Sequence, residues 1–167
     1  AQGGRLIDTA QMYGNHRDLA VAIRRSGVPR HQLWLTSKVK TVRGNLSRGD
    51  TLREAASVAD ELGVPARVAV RVNPDFELKG SGMKMGGGAK PFGVDAERVP
   101  ALVKQLLAAG ADWRGFHIFA GSQALDAAAV IEAQARTLEL AARLSAQAGR
   151  DLPACNLGGG LGVPYFP

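Results

Sequence analysis

Cys155 is the single cysteine among 167 residues. One thiol closes no internal disulfide, which excludes a stapled secreted scaffold and points to a reducing, cytoplasmic setting. Aromatic residues are scarce at 5%, too few for the base-stacking surface of a single-strand binder. No run approaches the roughly 18 apolar residues of a membrane span, so no membrane segment is expected. The opening AQGGRLIDTA lacks the basic-then-apolar order of a secretion signal. No set of His, Cys and carboxylate residues has metal-ligand spacing, so no metal is expected. There is no G-x-S-x-G elbow, and the stretch from Gly80 to Gly93 lacks the G-K-[ST] ending of a P-loop.

What is present belongs to a folded α/β chain. Apolar residues make up 46% and charged residues 22%, and the length suits one domain of ordinary size. Lys and Arg number 21 against 15 Asp and Glu, a net charge of +6. The cations are scattered, at Arg24, Arg25, Arg43, Arg48, Lys79, Lys84, Lys90 and Arg143. Nucleic-acid binding needs them clustered, and is not expected. A small anionic ligand fits the charge.

Strand and helix patterns alternate along the chain. Arg5 to Thr9 and Leu33 to Thr36 read as short strands, with a helical pattern at Leu19 to Ile23 between them. Asp50-Thr51 opens a helix that Gly63 ends. Arg67 to Asn73 (RVAVRVN) alternates as a strand. Asp95 opens a further helix, which ends at Gly110. Gly115 to Ala120 reads as the fourth strand, Leu125 to Ala148 as a long Ala-rich amphipathic helix, and Ala154 to Leu157 as the fifth strand. Strands joined by crossover helices imply parallel pairing. The fold class is α/β: a partial parallel (β/α) barrel of about five strands, since a complete one takes about 250 residues. Residues 1–167 are expected to form a single partial-barrel domain, with open strand edges that favour self-association.

Function in such folds lies in the loops after strand C-terminal ends. Those loops hold Asp8, Tyr13, Lys38, Lys84, Lys90 and Ser122, together with two glycine-rich segments. Gly158-Gly159-Gly160-Leu161-Gly162 suits a phosphate, because glycines let successive backbone N–H groups converge on an anion. A tight turn needing positive φ accounts for the same residues. Ser122 offers a hydroxyl beside further N–H groups, or serves as the N-cap of the helix that follows. His117 lies within a strand, where a core role is common, and Cys155 reads as a small buried residue.

At these residues two resemblances emerge. From about residue 50 to 167, RVAVRVNPDFELKGSGMKMGGGAKPFGVD, GFHIFAGSQALD and NLGGGLGVPYFP resemble the barrel domain of the fold-type III, alanine-racemase-like decarboxylases dependent on pyridoxal phosphate (PLP). This is the ornithine/diaminopimelate decarboxylase group. The resemblance implies that Gly158, Gly159, Gly160 and Ser122 hold the cofactor phosphate. Diaminopimelate-type members carry H-x-H-x-G-S-Q; His117 matches the first His, and Phe119 stands where the second stacks on the pyridine ring. Phe119 can stack but not titrate. The group's cofactor-bonding lysine belongs to a segment occupied here by a different sequence.

That sequence, GGRLIDTAQMYGNHRDLAVAIRRSGVPRHQLWLTSKV, resembles aldo-keto reductases over about residues 3–42. The resemblance implies that Asp8, Tyr13 and Lys38 match a catalytic trio, with NADPH as the alternative cofactor. Tyr13 would give a proton to a carbonyl and Lys38 would lower the Tyr13 pKa. His16 replaces the usual Glu after Y-G-N, and the catalytic His strand and nicotinamide-phosphate site have no counterpart. The expectation is therefore a joined or truncated chain with its seam between about Arg43 and Asp50, incomplete as a decarboxylase. A carbonyl reductase and a folded but inert fragment are the other readings. Lys38, at the end of a strand, is a candidate to replace the missing lysine, with Lys40, Lys84 and Lys90 as competitors.

Overall fold

The computed structural model describes residues 3–38, 57, 59–60, 63–76, 83–84, 93–122, 124–159 and 161–164. The chain divides into two compact units, Ala1–Arg53 and Glu54–Pro167. The expected seam and most of the helix expected from Asp50 lie outside the described residues.

In the first unit, β1 (Leu6–Asp8) pairs in parallel with β2 (Trp34–Thr36), Asp8 opposite Thr36. The crossover between them runs through a short 3-10 turn at Gln11–Tyr13 and through α1 (His16–Ser26). Asp18 in the first turn of α1 and Arg24 and Arg25 in its last turn complement the helix dipole. Gly27 ends the helix at φ 66°, a left-handed conformation that glycine adopts without steric cost.

In the second unit, β3 (Arg67–Asn73), β5 (Val94–Asp95), β6 (Asp112–Ile118) and β8 (Cys155–Asn156) form one sheet in the order β5-β3-β6-β8. Every pairing in it is parallel. A separate antiparallel pair joins β4 (Met83–Lys84) to β7 (Gly121–Ser122). Two helices lie wholly within the described residues of this unit, α2 (Val99–Ala108) and α3 (Ala127–Ala148). Val72, Phe116 and Ile118 from the sheet, Val99, Val103 and Leu106 from α2, and Leu140 and Leu144 from α3 are almost fully buried and make the core. Trp113 meets Phe116 edge-on at 5.3 Å. Its indole N–H donates to the Gly115 carbonyl at 3.0 Å, which satisfies the polar end of a buried ring.

The expected parallel α/β arrangement is present, with all five expected strands. Several bounds differ for local reasons. The fourth strand starts at Asp112, three residues before the glycine expected to open it, because the chain accommodates a bulge. The register runs from Val68 opposite Trp113 to Val70 opposite Phe116, and so inserts one extra residue in β6. Gly115, at φ 101°, sits there, and a Cβ on it would fall 1.9 Å from the Ala154 carbonyl oxygen. Asp95 closes β5 rather than opening the helix. A 3-10 turn, Ala96–Arg98, intervenes, and α2 carries Pro100 in its first turn, where the missing N–H costs nothing. The long helix starts at Ala127, not Leu125. Its N-cap is Asp126, whose carboxylate accepts from the Ala128 N–H at 2.9 Å. That corrects the alternative role considered for Ser122, which lies in β7 and caps no helix.

Candidate functional site: the glycine loops of the second unit

The site is laid out by strand register. Arg71 in β3 lies opposite His117 in β6, and His117 opposite Asn156 in β8. Side chains alternate along a strand, so this row faces away from Val72 and Ile118, which are buried in the core. Phe119, two residues beyond His117, and Gly158, two residues beyond Asn156, continue the same face past the strand ends.

Gly158 adopts φ 75° and donates its N–H to the Asn156 side-chain oxygen at 2.8 Å, an Asx turn at the end of β8. A Cβ on Gly158 would come within 2.7 Å of Phe119 Cδ2. The turn reading of this glycine is therefore correct, and close packing adds a second demand for it. Gly159 is different: a Cβ there would meet nothing within 4 Å among the described residues. Gly160 lies outside the described residues.

The glycine loop is docked onto the turn that carries Ser122. Gly162 N–H donates to the Ala124 carbonyl at 2.8 Å, Ala124 bridges Leu161, and a Cβ on Gly162 would collide with Leu125 Cδ2 at 2.7 Å. The pairing of Met83 with Ser122 and of Lys84 with Gly121 adds a piece of the glycine-rich stretch to the same turn. The end of the glycine loop, Leu161–Gly162, thus lies beside Ala124 and Leu125, just past Ser122. Cys155 is half-buried and its thiol pKa is raised by desolvation, so it is no activated nucleophile.

Loop 74–76, at the end of β3, is tied to α3 by side chains. Arg143 pairs with Asp75, and the Arg136 guanidinium lies 5.9 Å from the Phe76 ring centroid. A groove of about 370 Å³ runs between these groups, with Glu139 and Leu140 on its helix wall.

The three residues of the reductase-like motif all lie in the first unit. Lys38 contacts the Asp8 carboxylate, donates to the Thr9 carbonyl at 3.1 Å, and holds its ammonium 5.6 Å from the Tyr13 ring centroid. His16, in the place of the usual Glu, lies 3.1 Å from the Ser37 hydroxyl. Lys40 and Lys90 lie outside the described residues, and Lys84 is placed in β4. Among the described residues no cluster of three or more His, Cys, Asp or Glu residues is placed to hold a metal ion. None of their helices is long and apolar enough to cross a membrane.

Arg71 and Asn156 were missed as sequence candidates. The only signal for Asn156 was its position two residues before a glycine run, and Arg71 looked like one polar residue in an alternating strand.

Parallel strands joined by crossover helices, with loops at their C-terminal ends, define a segment of an α/β barrel. The family described as "Pyridoxal-dependent decarboxylase, pyridoxal binding domain" matches residues 21–166, and this chain belongs to it. The match starts within α1, well before the motifs that begin near residue 50. The family's cofactor is pyridoxal phosphate. Diaminopimelate decarboxylase of Aquifex aeolicus is 36% identical over 122 residues, covering 71% of this chain and 28% of the relative. L-glutamyl-[BtrI acyl-carrier protein] decarboxylase of Niallia circulans is 34% identical over 110 residues, covering 65% of this chain and 26% of the relative. The chain therefore spans little more than a quarter of these relatives. A crystal structure of diaminopimelate decarboxylase superposes with TM-score 0.66 at 23% identity, covering 99% of this chain and 40% of that one, a likeness of fold alone. A mutant diaminopimelate decarboxylase from Helicobacter pylori, complexed with L-lysine, gives 0.53 at 27% identity and covers 81% of this chain and 33% of that one.

Proposed function

We propose that the second unit seats the phosphate of pyridoxal phosphate for decarboxylation of an amino acid. The observation that carries this is the hydrogen bond from the Gly162 N–H to the Ala124 carbonyl, which ties the end of the glycine loop to the residues that follow Ser122. The residues fit the group. Among the described residues nothing crowds Gly159, and Gly158 holds the turn in a conformation that residues with a Cβ rarely adopt. Phe119 supplies an aromatic ring beside the loop, and Ser122 lies on the adjacent turn. When bound, the cofactor supplies the electron sink for the electrons a departing carboxylate leaves behind. The chain's own residues bind and orient it. By their names, the relatives act on diaminopimelate and on a carrier-bound glutamyl group, which favours an amino-acid substrate.

Titrating the chain with pyridoxal phosphate, with inorganic phosphate as competitor, tests the reading. Saturable binding displaced by phosphate and weakened in Gly159→Ala is expected. Binding indifferent to phosphate and to Gly159→Ala would place the ligand elsewhere and refute it.

Two further expectations belong to the same reading: a cytoplasmic setting and self-association. Support for the second comes from Leu6 and Trp34, which are 72% and 70% exposed. Sedimentation at micromolar concentration should give a dimer or larger; a monodisperse monomer would count against it.

The contacts of Lys38 with Asp8 and with the Tyr13 ring favour a second reading, carbonyl reduction with NADPH in the first unit. Aldehyde-dependent NADPH oxidation that Tyr13→Phe abolishes would support it. No oxidation in the unaltered chain would remove it.

A further inference from the structure

We propose that Arg71 is a positioning residue for the cofactor ring, acting through Phe119; this rests on the cofactor reading above. The guanidinium carbon of Arg71 lies 5.9 Å from the Phe119 ring centroid, within cation–π reach. The Cδ2 edge of the same ring packs against Gly158, which cannot carry a Cβ without striking it. Phe119 is therefore clamped from two directions. Its backbone follows directly on β6, one edge abuts the glycine loop, and a cation covers one face. Arg71 is held in turn by its place in β3, opposite His117.

The clamp matters because Phe lies outside hydrogen-bonding chemistry. A ring that can neither donate nor accept keeps its orientation by packing and by its quadrupole alone. The guanidinium supplies the second, and it draws ring electron density toward its own side. The opposite face is then better matched to an aromatic ligand bearing negative charge. The ligand class is an aromatic monophosphate, with its phosphate on the glycine loop and its ring against Phe119. Arg71 should affect the ring part of binding and not the phosphate part.

Two probes separate those parts: pyridoxamine phosphate, which has no aldehyde to react with lysines, and inorganic phosphate. Calorimetric titration of Arg71→Met should show pyridoxamine phosphate weakened about 3- to 30-fold, the range of a partly desolvated cation–π contact. Inorganic phosphate should bind within about twofold of the unaltered chain, which also shows that the loop is folded. Arg71→Lys keeps a cation and should recover part of the loss. In a Phe119→Leu background, Arg71→Met should add less than about twofold, because the coupling partner is gone. If Arg71→Met does not fold, the cycle of Arg71→Lys with Phe119→Leu makes the same comparison. An equal loss for both probes, or a full loss persisting in Phe119→Leu, overturns the proposal and leaves the cofactor reading standing. Failure of the unaltered chain to bind either probe overturns both.

Discussion

Gly158→Ala separates the two demands that the structure makes on one glycine. At φ 75° a residue with a Cβ pays about 1–2 kcal/mol for the left-handed conformation. The new methyl would also sit 2.7 Å from Phe119 Cδ2 and 3.3 Å from Phe119 Cα and Cβ. The ring tip can rotate away, but the Cα cannot, and overpacking of this kind adds about 1 kcal/mol or more. The sum, about 2–3 kcal/mol, corresponds to a melting temperature lower by roughly 8–13 °C for a unit of this size. Ligand binding should suffer as well, since the displaced ring and the altered turn both belong to the proposed phosphate seat. Gly159→Ala is the control, with no described residue within 4 Å of its Cβ and no positive φ; its melting temperature should be unchanged while phosphate affinity falls. Thermal melts followed by circular dichroism, with and without pyridoxal phosphate, measure both effects. Should Gly158→Ala melt and bind like the unaltered chain, the close approach to Phe119 plays no part and the reasoning fails.

Gly115→Ala is expected to be severe, because its Cβ would overlap the Ala154 carbonyl at a bulge between two paired strands; loss of about 4 kcal/mol or more in urea unfolding checks it. Asp126→Ala removes the N-cap of α3 and should cost about 1 kcal/mol, whereas Asp126→Asn should retain most of the stability. Cys155 has its pKa raised by burial, so its stabilising contribution is fully present below the unfolded thiol value, about pH 8.5, and is lost as pH rises beyond it. Urea midpoints for the unaltered chain and Cys155→Ala should therefore converge toward each other or cross at alkaline pH. A gap that widens with pH contradicts burial as the cause. Arg143→Ala breaks an exposed ion pair with Asp75 and should change stability by less than about 1 kcal/mol in the same assay.

Local chemistry made much of this protein legible before its structure. RVAVRVN spans the strand Arg67–Asn73, because alternation needs only neighbouring residues to say which side is buried. The apolar spacing of Leu102, Val103 and Leu106 marked the buried face of α2 in the same way. Glycines after a strand marked the loop that could receive a phosphate, and the trio Asp8, Tyr13 and Lys38 was readable as a motif. Tertiary structure decided the rest, because it depends on residues distant in the chain. The start of β6 moved to Asp112 through a bulge whose glycine answers to Ala154, a partner that no local pattern names. Asn156 gained a role only when its side chain reached the Gly158 amide. Arg71 gained one only when parallel register set β3 beside β6 and brought its guanidinium over Phe119. Register is a long-range property: it is set when two strands share a hydrophobic face and exchange hydrogen bonds, and neither strand alone contains it.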